Sequence, residues 1–72
     1  MKRDVLLEEL AEIEHDQWIK WSKSISESEN ISPERIERWK KFWCPYDELD
    51  EEIKEHDRVW ARKVLAAVYK WI

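Results

Sequence analysis

Glycine is absent from this chain of 72 residues, and proline and cysteine are scarce, with two and one respectively. The missing glycine excludes the phosphate-cradling loops of P-loop and dinucleotide-binding proteins, which need a backbone approach that a Cβ would block. Cys44 has no second cysteine for a disulfide or a metal site, so it is expected as a small packed side chain. No apolar run approaches the ~18 residues that cross a bilayer, and the N-terminal stretch MKRDVLLEEL turns acidic where a secretory signal would continue apolar. A cytoplasmic protein with no membrane partner is the expectation. Tryptophan, by contrast, is abundant: Trp18, Trp21, Trp39, Trp43, Trp60 and Trp71. Each carries far more apolar surface than an aliphatic side chain and a flat face on which a ring can stack. At 43% hydrophobic and 42% charged residues, the chain is too apolar for disorder and too charged for a membrane protein. It makes a single domain, residues 1–72, near the lower size limit, where only about 60% of the unfolded surface is buried.

The net charge of -4 argues against non-specific nucleic-acid binding, but it is unevenly spread. The flanking segments are acidic, whereas residues 30–44 set Arg35, Arg38, Lys40 and Lys41 against Glu34 and Glu37. An anionic partner would be drawn to this middle segment. The alternative is a solvated helix face.

Apolar residues at helical spacing, Leu6, Leu7, Leu10, Ile13, Trp18, Trp21 and Ile25, predict a first helix from about residue 3 to 25. Ser26 to Asn30 lack periodicity and predict a loop. Ser32-Pro33-Glu34 supplies an N-cap, a proline at the first helical position and an acid in the first turn. A second helix should start there, with Ile36, Trp39 and Trp43 on one face, and end at Pro45. Asp50 is a capping residue followed by Glu51 and Glu52, which suit the positive end of a helix dipole. The third helix then carries Ile53, Trp60, Ala61, Val64, Leu65, Val68 and Trp71. The fold class is all-α, a three-helix domain with two long helices and a shorter central one.

Glu14 and Gln17 project into the apolar stripe of the first helix, and Asp57 lies between Val64 and Val68 in angle on the third. A carboxylate taken from water costs several kcal/mol unless donors meet it. His15, Arg58, Arg62, the Tyr46 hydroxyl and indole N–H groups are the candidates. Glu14, His15 and Asp57 are accordingly read as a structural polar staple, with a perturbed functional site as the alternative. A metal centre from His15, His56, Glu14 and Asp57 lacks a recognised spacing such as HExxH. Ser22, Ser24, Ser26 and Ser28 have no nucleophile elbow around them.

Three motifs follow one another: His15-x-x-Trp18, Cys44-Pro45-Tyr46-Asp47-Glu48-Leu49, and Glu52-x-x-x-His56-Asp57-Arg58 before an alanine-rich last helix. Their order resembles the RyR domain, the repeat named after the ryanodine receptor, whose pieces read approximately H-x-x-W, V-P-Y-x-E-L and E-K-x-x-D-R. The likeness runs from about Leu10 to Val68 and covers His15, Trp18, Pro45, Tyr46, Leu49, Asp57 and Arg58. Receptor versions carry a glycine-containing stretch after the first helix where this chain has Ser26 to Asn30, so contacts of that loop are not implied. The chain is more similar to short stand-alone members from bacteria and their phages. The resemblance implies a non-enzymatic helical module, often paired, in which a pair holds an adenine nucleotide between its halves. It also implies a link to nucleotide-derived signalling and defence.

Together these readings predict a binding module without catalytic residues, cofactor or metal. It would take a nucleotide-type ligand in an aromatic and basic cleft formed on oligomerisation, in a phage setting as a sequestering protein. The base would stack on Trp21, Trp39, Trp43 or Tyr46, and phosphates would face Lys40, Lys41, Arg58 or Arg62. Trp18 and Trp60 should pack together in the core. Self-association, as a dimer, is expected because so small a domain cannot hide six tryptophans. The contrasting readings are a protein-interaction adaptor with no small ligand and, third, a small hydrolase.

Overall fold

The structure, a computed structural model, describes the backbone of residues 2–72 and the side chains of residues 5–72. Three helices, α1 (Lys2–Ser28), α2 (Pro33–Lys40) and α3 (Glu51–Trp71), follow one another, with one 3-10 turn at Tyr46–Glu48 before α3. Among the described residues there is no strand, so the predicted all-α architecture of two long helices and a short central one is what forms.

Helix boundaries follow local chemistry, with three corrections to the sequence reading. α1 runs on through Ser26, Glu27 and Ser28. The Ser26 hydroxyl donates to the Lys23 carbonyl at 2.7 Å, which satisfies a turn-favouring side chain inside the helix. α2 starts as predicted: Pro33 is at its first position and Ser32 Oγ accepts from the Arg35 N–H at 3.2 Å. It stops at Lys40, ahead of Pro45, because the Phe42 and Trp43 N–H groups bond three residues back, to the Trp39 and Lys40 carbonyls. That tight turn sends Phe42 to the core and Trp43 toward α1. Asp50 stands at the N-cap of α3, but its side chain makes no capping bond. The Ile53 and Lys54 N–H groups bond its backbone carbonyl instead.

α1 and α3 pack against each other around a core of Ala11, Tyr46, Leu49 and Ala61, flanked by Leu7, Leu10, Phe42, Cys44 and Ile53. Cys44 is half-buried there as a packed side chain. Ala11 and Ala61 are fully buried, and such small side chains let the helix backbones approach. Ser22 is also sealed, at 0% exposure. Its hydroxyl accepts from the Trp43 indole N–H at 2.9 Å and donates to the Ile19 carbonyl at 3.2 Å.

The polar lock between the elements is centred on Glu8, a residue that sequence reasoning passed over. Its carboxylate accepts Nε and Nη2 of Arg58, both at 2.7 Å, and the Tyr46 hydroxyl at 3.1 Å. Arg58 Nη1 reaches on to Glu51 at 3.0 Å. Two parallel bonds from one guanidinium fix direction as well as distance. The bond to Arg58 holds the Glu8 carboxyl below its ordinary value of 4.5. Burial, followed by the bond to Glu8, pushes the Tyr46 phenol up to about 12. Trp60 departs from expectation: it is 57% exposed and does not pack with Trp18. Gln17 is likewise exposed and lies outside the core stripe.

Two stability measurements check this account. Ser22→Ala removes the acceptor of the Trp43 indole and should cost about 1–3 kcal/mol, read from the urea midpoint. Because the folded-state value of Glu8 is depressed, its contribution is complete above pH 4.5 and is lost as pH falls through the folded value. Glu8→Gln should therefore lower stability at pH 7 and flatten the acid limb of an unfolding profile. An unaltered acid limb would show that the lock contributes nothing.

Candidate functional site

Beside the core, α1, the α2 turn and α3 enclose a cleft of about 340 Å³ lined by His15, Trp18, Trp39, Phe42, Ile53, His56 and Asp57. The size falls within the range of small-molecule sites. The walls are aromatic. Trp18 meets Trp39 and Phe42 edge-on, with ring centroids at 6.1 and 6.4 Å, and stacks on His15 at 6.1 Å. Trp21, half exposed, leans on the far side of this group, 6.1 Å from Trp39. The i, i+3 spacing of His15 and Trp18 puts both rings on one face of α1, and His56 and Asp57 follow Ile53 by one turn on α3.

His15 is buried, and its Nε2 lies 2.8 Å from the Cys44 carbonyl oxygen. A carbonyl only accepts, so Nε2 carries a proton toward it, and Nδ1 is the ring nitrogen left to face α3. That nitrogen faces Asp57 Oδ2 at 3.7 Å, beyond hydrogen-bond reach. The Asp57 side chain retains only 18% of its exposure. Burial raises its carboxyl above the usual range, and Glu14 adds to the rise, while His15 and His56 oppose it. An imidazole edge and a largely buried carboxylate thus stand side by side in an aromatic cleft.

The predicted site residues divide. Trp39 lines the cleft and Trp21 adjoins it. Trp43 bonds Ser22 outside it, with the Lys23 ammonium 5.5 Å over its ring. Tyr46 is in the core at 4% exposure, under Lys54 at 5.4 Å. The cations intended for phosphate face carboxylates: Arg58 binds Glu8 and Glu51, Arg62 binds Glu55 at 2.6 Å, and Lys40 pairs with Glu37 at 3.0 Å. Lys41 is exposed and is not part of the cleft lining. The polar lining of this intramolecular cleft is two imidazoles and one carboxylate, with none of the predicted cations among it. Of the polar trio, His15 and Asp57 line it, whereas Glu14 is half-buried beside them. The sequence reading omitted Trp18, Phe42, Ile53 and His56 from the ligand set. Trp18 and His56 had a signal in their motifs, but Phe42 had none.

Among the described residues no group of three or more His, Cys, Asp or Glu side chains is arranged to hold a metal ion, and no helix is long and apolar enough to cross a membrane. No family model, curated protein or solved structure matches the chain. The resemblance to RyR domains rests on the three motifs alone.

The raised folded-state value of Asp57 gives a prediction with a definite sign. Below its ordinary 3.8 the group is protonated in both states and costs nothing; as pH rises through the folded value, ionisation in the cleft takes stability away. Asp57→Asn should therefore raise the melting temperature at pH 7, and the gain should vanish as pH is lowered to 3.8 and below. A variant less stable than the parent at pH 7 would instead make Asp57 a structural staple.

Proposed function

We propose that this chain is a non-enzymatic binding module that takes the base of a nucleotide or nucleotide-derived signal in the cleft between α1, α2 and α3. One observation carries the reading: the Asp57 carboxylate, 3.7 Å from Nδ1 of His15 and largely out of water, lies among the walls Trp18, Trp39 and Phe42. A purine bearing an exocyclic amine answers both features. Its ring stacks on tryptophan, worth about 1–3 kcal/mol per base, and its N–H groups donate to the carboxylate. Burial raises the Asp57 carboxyl above its ordinary value, and perturbed carboxylates cluster at binding sites. Arg58, Arg62 and Lys40 are already paired, so the base end, and not the phosphates, is what the cleft selects. Sequestration suits such a site better than turnover, because no activated nucleophile adjoins it.

An adaptor reading draws on a different observation, the exposed apolar side of α3 with Trp60, Val64, Val68 and Trp71. It concerns another surface and does not compete for the cleft.

Tryptophan fluorescence and calorimetry with adenosine, guanosine, inosine, uridine and their nucleotides test the proposal. The amino-bearing purines should bind and quench. Losing a hydrogen bond to a charged group is worth about 1.5–3 kcal/mol, so Asp57→Asn should weaken binding about ten- to a hundredfold. The same substitution should stabilise the fold, so stability and binding move in opposite directions. No binding by any base, or equal binding by the Asn variant, overturns the reading.

A further inference from the structure

The molecule is more open than its size requires. Its accessible surface is 5865 Å², whereas a compact monomer of 9.0 kDa exposes about 4,900 Å². Its radius of gyration is 14.1 Å against about 11 Å for a compact domain of this length. The surplus of about 1,000 Å² is close to one partner's share, about 800 Å², of a standard protein interface.

Much of the uncovered apolar surface lies on one side of α3. Trp60, Val64, Ala67 and Trp71 recur at spacings of four, three and four residues, the pattern of a coiled-coil seam. All four are exposed, Trp71 at 81%. At 1.5 Å per residue the seam is about 17 Å long. Lys63 and Lys70 shelter its ends, with their ammonium groups 4.2 Å over the Trp60 ring and 5.7 Å over the Trp71 ring. Large side chains stand at both ends and a valine and an alanine stand between them. Laid antiparallel on itself, the seam sets Trp60 against Trp71 of the partner subunit and Val64 against Ala67 of the partner subunit. Each large residue then has a ring to pack on, and the central valine meets a side chain small enough to admit it. A two-fold interface requires this self-complementarity.

We propose that a second copy of this chain covers α3, forming an antiparallel two-fold helix pair through Trp60, Val64, Ala67 and Trp71. This dimer is independent of the cleft and of what the cleft binds. Its one unfavourable element is the approach of Lys63 to Lys70 of the partner subunit, so added salt tightens it.

Sedimentation equilibrium between 10 µM and 1 mM tests it. The mass should rise toward twice 9.0 kDa, and more readily at 0.5 M salt than at 0.05 M. Val64→Glu should remain monomeric with unchanged helical circular dichroism. To read the orientation, Val64→Cys and Ala67→Cys proteins, both in a Cys44→Ala background, are mixed and mildly oxidised. The antiparallel pair yields the mixed disulfide in preference to either homodisulfide. A monomer at 1 mM, a dimer that survives Val64→Glu, or homodisulfides alone would each overturn the proposal. A face that stays monomeric would pass to a different protein partner.

Discussion

The placement of α3 and of the turn before it against α1 depends on how the Glu8 carboxylate is satisfied. A half-exposed glutamate on a long helix is ordinarily worth little, but here three donors from two other elements converge on it. Arg58 brings α3, Tyr46 brings the turn that precedes α3, and the bidentate geometry permits only a narrow range of positions. Tyr46 then fills the core from the same turn, and His15 receives the Cys44 carbonyl next to it. The same lock sets Asp57, the neighbour of Arg58, against His15, two turns along α1 from Glu8. One dipeptide thus serves two ends: its arginine holds the fold and its aspartate faces the cleft.

The two carboxylates illustrate how environment divides like groups. Glu8 gains bonds and its carboxyl becomes more acidic, so ionisation supports folding. Asp57 loses water without gaining a donor, so ionisation works against folding. Burial and donors both separate them: Asp57 is the more buried of the two, and Glu8 is the one that donors meet. Replacing either by its amide should move stability in opposite directions at neutral pH, which is why the pair separates scaffold from site.

A domain this short has too little interior for its aromatic content, and the surplus goes to two places. Trp18, Trp39 and Phe42 wall the cleft, where a ring can use them. Trp60 and Trp71 stay exposed on α3, whose packing partner is α1.

Local chemistry was legible in the sequence. Apolar periodicity placed all three helices, Ser32-Pro33 marked the start of α2, and the charge at Asp57 in an apolar stripe marked a carboxylate taken from water, which the sequence reading assigned to a structural staple. These features depend on neighbours within a few positions, so the order of residues determines them. The end of α2, the partners of Arg58 and Tyr46, and the exposure of Trp60 depended on tertiary contacts. A helical wheel shows which side of a helix is apolar but not whether another element covers it, so it could not tell that Trp60 stays exposed. Nor could it tell which of seventeen acids would meet which base. Arg58 looked available for phosphate until folding brought Glu8, fifty residues earlier, into reach, because charge pairing acts through distance in space and is blind to distance along the chain.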